Sequence, residues 1–259
     1  MAISAPHYQA LKELAKRGEL PIGGRILEIG EANWYGDISV SEIISDIHKL
    51  PLDAGREILV ERLRRLEKSN DQWAAWEIAK IIYDFLIAPS MVRSIDFNGT
   101  PAALRYDLNE WTGTHGNPGS FDLVINHGTA EHIFNIANVF RAMHDNCCVG
   151  GLMIHESPFT GWVDHGFYTL QPTLFCDVAA ANDYDMRYIA IEQIESKLLW
   201  EITSREEIHM LAHAGELPDN AMLYVAMRKT TDAPFKIPMQ GVYAKTVSRE
   251  VQSAWRELR

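Results

Sequence analysis

The stretch RILEIGEANWYG, residues 25–36, decides the fold of this chain. It begins with a short apolar run, Ile26 to Ile29, which predicts a buried strand, and Gly30 follows immediately. Glycine permits a tight turn and lets a ligand approach the backbone closely. Open α/β sheets bind nucleotide-like ligands at such a turn, where the first strand ends. We therefore expect a ligand beside this turn.

The composition predicts one soluble globular domain spanning residues 1–259. Hydrophobic residues make up 47% and charged residues 23% of the 259, which is enough for a large core. The net charge of -11 argues against nucleic acid as a partner, because phosphate contacts supply most of that affinity. There is no apolar run that could span a membrane and no signal-peptide pattern. Three cysteines give no disulfide framework, which predicts a cytoplasmic location.

Strand and helix patterns alternate along the chain, which indicates a mainly parallel sheet covered by helices. Segment 37–90 has a helical pattern and is longer than one crossover helix requires, so we expect a helical insertion. It could be a structural cap, a lid, or an interface with a second copy of the chain. The other predicted strands are Met91–Phe97, Leu104–Leu108, Phe121–Asn126, Gly151–His155, Tyr188–Ile194 and Met222–Met227. We expect loops at Gly113–Ser120 and, rich in aromatic residues, at Glu156–Pro172.

Polar side chains recur where the predicted strands end. They are Glu28, Asp96, Asp107, Asn126, Glu131, His155 and Glu156. Because ligands bind at the carboxyl ends of strands in such sheets, we expect these side chains to share one edge. A carboxylate there is a good acceptor for the hydroxyls of a ribose.

These motifs resemble those of class I S-adenosylmethionine-dependent methyltransferases, over roughly residues 23–228 apart from the insertion. The resemblance is carried by Leu27-Glu28-Ile29-Gly30, Asp96, Tyr106-Asp107-Leu108, Phe121-Asp122-Leu123-Val124 and Cys148-Val149-Gly150-Gly151-Leu152. It implies a Rossmann-like, mainly parallel seven-stranded sheet and S-adenosylmethionine as cofactor. The implied cofactor-binding residues are Glu28, Gly30, Glu31, Trp34, Asp96, Phe97, Asp107, Leu108, Asn126 and His127.

The glycine pattern of the first turn departs from this family. Two further family glycines are replaced by Ala32 and Trp34, so the turn must have another shape. A dinucleotide-dependent dehydrogenase would require G-x-G-x-x-G here, and the chain has no such motif. The lost glycines also leave open a scaffold protein that has the fold without the activity.

The run Asn126-His127-Gly128-Thr129-Ala130-Glu131-His132 resembles the metal-binding segment of sugar-hydroxyl methyltransferases. With His165 from a later Asp-His-Gly-Phe segment, Glu131 and His132 match three expected ligands of a divalent metal such as Mg²⁺. Gly128 replaces a further ligand, which leaves His127 or Glu156 as substitutes. Alternatively, Glu131 and His132 are a structural pair at the start of a helix.

A histidine acting as a general base is the other alternative for catalysis, with His165, His155 and His132 as candidates. The aromatic loop, which holds Trp162 and Phe167, would suit a sugar ring with its apolar faces. The sequence therefore predicts O-methylation of a small or carrier-linked sugar, or of a similar polar metabolite. Metal-independent methylation of a phenolic or other small metabolite is the second hypothesis.

Overall fold

The computed structural model describes residues 2–50, 54–111 and 119–257. Its strands are β1 (Ala2–Ile3), β2 (Arg25–Ile29), β3 (Asn33–Trp34), β4 (Met91–Ile95), β5 (Phe121–His127), β6 (Cys147–Thr160), β7 (Asp185–Gln193), β8 (Leu198–Glu201) and β9 (Ala221–Arg228). Its α-helices are α1 (Ala5–Lys16), α2 (Val40–Ile47), α3 (Ala54–Glu67), α4 (Ala74–Leu86), α5 (Ile136–Asn146), α6 (Pro172–Asn182), α7 (Arg205–Ala214), α8 (Gly241–Thr246) and α9 (Arg249–Glu257). Short 3-10 helices span Leu108–Glu110 and Ala130–His132.

The main sheet has seven strands in the order β4-β2-β5-β6-β9-β7-β8. The pairs among β4, β2, β5 and β6 are parallel, whereas β9 is antiparallel to both β6 and β7. β8 is antiparallel to β7, because a parallel crossover needs about a dozen residues and only residues 194–197 join these two strands. The expected α/β fold with seven strands is confirmed. The sheet is mixed rather than purely parallel, because β4, β2, β5, β6 and β7 run in one direction and β9 and β8 run in the other.

The central strands are buried on both faces, which explains their continuous apolar sequences. Ile26 of β2 and Ile125 of β5 pack with residues of α1 to α4 in one hydrophobic cluster. Leu27 and Val124, their neighbours along the chain, pack with α5, α6 and α7 in a second cluster. The alternation follows from the two-residue period of a strand. Helices therefore cover both faces, and the strand ends remain as the edge at which polar residues meet.

Segment 37–90 contains α2, α3 and α4, as its helical pattern predicted. α4 contributes Ile78 and Ile81 to the first cluster, which also contains Ile26 of β2. α2 is attached to α1, since the Tyr8 hydroxyl donates a hydrogen bond to Asp46 at 3.0 Å. These helices belong to the layer that covers one sheet face. A role as a lid or as an interface stays a prediction.

Two predicted elements differ in the structure. The strand expected at Leu104–Leu108 is reduced to one bridge between Leu104 and Ile95. Here the Arg105 guanidinium donates to the carbonyls of Gly99 and Thr100 at 3.0 and 2.9 Å, which ties the segment to the preceding turn. β6 is longer than expected, because β9 pairs with it as far as Thr160, so the aromatic loop begins at Gly161.

Part of one predicted loop cannot be compared. Of Gly113–Ser120, residues 113–118 lie outside the described residues. Among the described helices, none has the length and apolar character that crossing a membrane requires.

Candidate functional site

The carboxyl ends of β2, β4 and β5 meet at one edge of the sheet. Ile29 at the end of β2 is in register with Ile95 of β4 on one side and with Asn126 of β5 on the other. The residues after these strands, among them Gly30 and Asp96, are therefore neighbours. Gly30 has a positive φ of 80° and donates its N–H to the Ile95 carbonyl at 2.7 Å. The structure thus brings the predicted turn and the predicted acid together.

Asp96 links the turns that follow β2 and β4. Its Oδ2 accepts from the backbone N–H of Glu31 at 2.8 Å, and its Oδ1 accepts from that of Asn98 at 2.7 Å. Each carboxylate oxygen has a second lone pair. Because Asp96 is only half-buried, it can still accept hydrogen bonds from the two hydroxyls of a ribose.

Glu28 and Glu31 hold the turn that follows β2. Glu28 is 1% exposed, accepts from the Ser94 hydroxyl at 2.5 Å and forms an ion pair with Lys80. Glu31 accepts from the backbone N–H of Thr100 at 2.5 Å and from its hydroxyl at 3.1 Å. Both carboxylates, predicted to bind cofactor, are therefore engaged within the protein and stabilise the shape of the turn.

The remaining predicted cofactor residues around this turn differ in accessibility. Trp34 pairs with Ile3 between β3 and β1, and its ring packs against the first hydrophobic cluster. Phe97 is 60% exposed next to Asp96, and Asp107 is exposed while it caps the first 3-10 helix. Leu108 is buried in the second cluster. Of these four predicted cofactor residues, Phe97 has an accessible ring and Asp107 an accessible carboxylate.

Asn126 lies at the centre of the edge and is fully buried. Its Oδ1 accepts from the backbone N–H groups of Thr129 and Ala130 at 3.1 and 3.0 Å. Its Nδ2 has no hydrogen-bond partner among the described residues. An unsatisfied buried donor is costly, so a ligand acceptor at this position would stabilise the site.

The chain continues from Asn126 into a second group of polar residues, Glu131, His132 and His165. One ligand atom of each lies within 4.8 Å of the others, and His165 Nε2 is 3.9 Å from Glu131 Oε1. The loop that carries His165 is fixed here, because Phe167 donates its backbone N–H to the Glu131 carbonyl at 2.8 Å. A Cβ at Gly128 would lie 3.2 Å from Glu131 Oε1, so the position of the absent fourth ligand adjoins this carboxylate.

The electrostatics of this group favour binding of a cation or of a proton. Glu131 is fully buried, and neither carboxylate oxygen has a hydrogen-bond partner in the described part of the chain. Burial raises the pKa of Glu131 to about 8. Burial and the charge of His165 lower the pKa of His132 below its usual range. His132 and His165 are exposed, so solvent reaches the group from the histidine side.

His155 does not join these residues. Its side chain is 1% exposed and stacks on the Phe140 ring at 4.8 Å, with the Phe175 ring at 5.3 Å. Burial lowers its pKa to about 3. The expected general base His155 thus lies in the second hydrophobic cluster because odd-numbered residues of β6 face that side. We do not retain it as a candidate.

His127 also faces away from the edge, toward α1. It is 2% exposed and lies beside His7 and Glu156 in the interior, where burial lowers its pKa well below the usual range. Sequence reasoning did not single out His7. The helical period of α1 predicts that one of its faces is buried. It does not indicate which strands that face packs against.

Similar solved structures include several methyltransferases. No protein-family model matches the chain, and no curated protein sequence matches it. An S-adenosylmethionine-dependent methyltransferase from Mesorhizobium loti is 15% identical over 87% of this chain and 98% of that one, with a TM-score of 0.43. One from Archaeoglobus fulgidus is 14% identical over 85% and 93%, with a TM-score of 0.46.

A third similar structure was solved with ligands. The geranyl diphosphate C-methyltransferase from Streptomyces coelicolor, in complex with Mg²⁺, geranyl diphosphate and S-adenosyl-L-homocysteine, is 11% identical over 86% of this chain and 78% of that one, with a TM-score of 0.41. Because these identities and TM-scores are low, the functional assignment has to rest on the side chains of this chain.

Proposed function

We propose that this protein is an S-adenosylmethionine-dependent methyltransferase that methylates a hydroxyl of a sugar or of a similar small polar metabolite. One observation carries the proposal. The turn at Gly30, the acid Asp96 and the unsatisfied amide of Asn126 meet at one sheet edge, and Glu131 follows Asn126 closely along the chain. Polar groups suited to the cofactor thus lie close in sequence to a group suited to acid–base or cation chemistry.

The residues at the edge fit the cofactor by their chemistry. Asp96 would accept hydrogen bonds from the ribose hydroxyls, and the Asn126 amide would donate to a cofactor oxygen or ring nitrogen. Phe97 offers an exposed ring for the adenine face, and Asp107 an exposed acceptor for its amine. Glu28 and Glu31 would act indirectly, by maintaining the turn through Lys80 and Thr100.

Methyl transfer requires a deprotonated, aligned acceptor more than covalent help from the protein. The bound cofactor supplies the methyl group on a sulfonium sulfur. The acceptor oxygen forms a bond to that carbon as the carbon–sulfur bond breaks, and its proton must be removed. His165 or His132 would take this proton, since both are exposed imidazoles beside the buried Glu131 carboxylate.

The same three side chains also fit a divalent cation. The unpartnered carboxylate of Glu131, with the two nearby imidazoles, supplies one oxygen and two nitrogens. A cation held there would bind vicinal hydroxyls and lower their pKa, which makes a separate base less important. The site can thus act either by binding a metal ion or by supplying a general base. Removing the metal with a chelator should stop the reaction only in the first case.

The aromatic residues beside the site support a sugar acceptor. Phe134 and Phe167 are 71% and 64% exposed, and their rings contact edge to face at 5.7 Å. The Tyr168 hydroxyl donates to the Phe134 carbonyl at 2.7 Å, which fixes the loop on the second 3-10 helix. Exposed rings next to polar groups suit the apolar face of a sugar. They equally suit a planar phenol, so a metal-independent phenol methyltransferase is the second candidate.

Methyl transfer with labelled cofactor tests the proposal. The protein is incubated with S-adenosylmethionine labelled in the methyl group and with panels of monosaccharides, nucleotide sugars and phenols. We expect labelled sugar ethers, identified by mass spectrometry. Labelled phenols alone would favour the second candidate. Absence of both turnover and cofactor binding would instead indicate a scaffold protein.

A further inference from the structure

A second cluster of ligand-type side chains lies beneath α1 and is buried, unlike His132 and His165. It consists of His7 from α1, His127 from the end of β5 and Glu156 from β6, which are 0%, 2% and 5% exposed. One ligand atom of each lies within 4.8 Å of the others. No member is shared with the group Glu131, His132 and His165.

Hydrogen bonding within the protein does not account for this cluster. His7 Nδ1 is 2.8 Å and His127 Nδ1 is 3.6 Å from Glu156 Oε2. Yet His7 Nε2 and both ring nitrogens of His127 have no hydrogen-bond partner in the described part of the chain. Buried polar atoms are nearly always satisfied. Two buried imidazoles that converge on one carboxylate oxygen therefore require another partner.

The ligand atoms lie close enough together for one tetrahedral metal ion, and the His7 and His127 rings, whose centroids are 3.3 Å apart, would have to separate on binding it. Zinc–nitrogen and zinc–oxygen bonds of about 2.0–2.2 Å place tetrahedral ligand atoms about 3.3 Å apart. The observed separations of 2.8 Å and 3.6 Å lie on either side of this value. Imidazole nitrogens with one carboxylate favour zinc or a similar transition ion over Mg²⁺ and Ca²⁺, which prefer oxygen ligands throughout.

The surroundings supply a second layer of polar groups. The buried carboxyl of Glu192 neighbours Glu156 and is within hydrogen-bonding reach of it. Tyr224 is fully buried, its ring centroid is 5.5 Å from that of His7, and its hydroxyl has no described hydrogen-bond partner. Such outer groups commonly orient metal ligands.

We propose that His7, His127 and Glu156 bind one Zn²⁺ or similar transition-metal ion, which fastens helix α1 to the ends of β5 and β6. The site is a structural clamp and does not depend on methyl transfer. α1 forms part of the first hydrophobic cluster. Loss of the ion should therefore loosen the layer that covers this face of the sheet.

Metal binding by the full chain tests the clamp. The protein is stripped with a chelator, titrated with Zn²⁺ and analysed for bound metal and for Tm. Co²⁺ is added in parallel, because its visible absorption reports tetrahedral nitrogen and oxygen ligands. The variants His7→Gln and Glu156→Gln remove one ligand each, and His165→Ala is the matched control that alters only the other group.

We expect wild type and His165→Ala to bind Zn²⁺ at the clamp with a rise in Tm, and to give the Co²⁺ spectrum. His7→Gln and Glu156→Gln should weaken this binding by more than about 100-fold, beyond the usual effect of outer groups. If the wild type folds but binds no stoichiometric Zn²⁺, the proposal is wrong. This result does not depend on whether the variants fold. The proposal is also wrong if His7→Gln retains the wild-type affinity. Neither result bears on binding of S-adenosylmethionine.

Discussion

The carboxylate of Asp96 accepts a hydrogen bond from the backbone N–H of Glu31 at 2.8 Å. This bond joins the turn after β2 to the turn after β4. In the proposed function, this half-buried acid binds the cofactor ribose beside the turn at Gly30. A turn with Ala32 and Trp34 at these positions is thus ordered, because side chains and backbone groups hold it.

The first prediction concerns Asp96. Replacing it by Ala should weaken binding of S-adenosylmethionine by about 10–100-fold, since hydrogen bonds to charged groups are worth about 1.5–3 kcal/mol. Asp96→Asn keeps the size of the side chain and should show an intermediate loss. Calorimetric titration measures the affinity, and circular dichroism checks the fold. Wild-type affinity in a folded Asp96→Ala protein would remove Asp96 from the cofactor site.

The second prediction concerns the ion pair between Lys80 and Glu28. Lys80→Ala leaves the carboxylate of Glu28, which is 1% exposed, without its cation. Breaking a buried pair typically costs about 3–5 kcal/mol of unfolding free energy. Lys49→Ala is the control, because Lys49 is largely exposed and its pair with Asp46 should contribute less than about 1 kcal/mol. Equal urea midpoints for the two variants would show that Lys80 does not support the turn.

The third prediction concerns pH and His144. Burial and then the Lys229 charge lower the pKa of His144 below its usual 6.5. Its ring contacts the Tyr184 hydroxyl at 2.5 Å and the Ala233 carbonyl at 2.9 Å, as a neutral imidazole can. As the pH falls, His144 is protonated at a higher pH in the unfolded chain than in the folded one. The unfolding free energy should therefore fall as the pH drops below about 6.5.

Urea unfolding at a series of pH values measures this effect. In the His144→Gln variant this side chain cannot be protonated. The unfolding free energy of the variant should therefore fall less than that of the wild type as the pH drops below about 6.5. Parallel curves for wild type and variant would show that His144 does not contribute to the pH dependence.

The fourth prediction separates the two roles of the site around Glu131. With an acceptor in hand, His165→Ala should lower kcat by about 10²–10⁴-fold if His165 is the base. Activity should then survive a chelator. If a cation acts instead, chelation and Glu131→Gln should both abolish turnover, and added metal should restore it only in wild type. Unchanged kcat in His165→Ala, Glu131→Gln and chelated protein would exclude the cation and would exclude His165 as the base, which leaves only His132 for that role.

The sequence predicted the parts of the fold that depend on local patterns. The apolar runs of β2 and β5 are typical of strands that are buried on both faces of a sheet, and both strands are present in the structure. Asp96 could be placed because it directly follows such a run. The direction of β9 was not predictable, since a strand sequence looks alike in either orientation. The shortening of the strand predicted at Leu104–Leu108 was not predictable either, because the carbonyls that Arg105 binds become its neighbours only after folding.

Site residues were predictable only where they come directly after a predicted strand or are adjacent to each other in the sequence. Glu131 and His132 are adjacent, and His165 was found through a motif. His7 was missed because its contact with Glu156 joins distant parts of the chain. His155 was assigned to the edge because it ends an apolar run, whereas strand alternation places it among Phe140 and Phe175.

Calorimetric titration of the wild-type protein with S-adenosylmethionine tests the central claim most directly. The account predicts saturable binding of one cofactor molecule per chain, with a Kd below about 1 mM, the upper end of common Michaelis constants. Binding should be competed by S-adenosylhomocysteine. A folded protein that shows no binding at millimolar cofactor would contradict the claim.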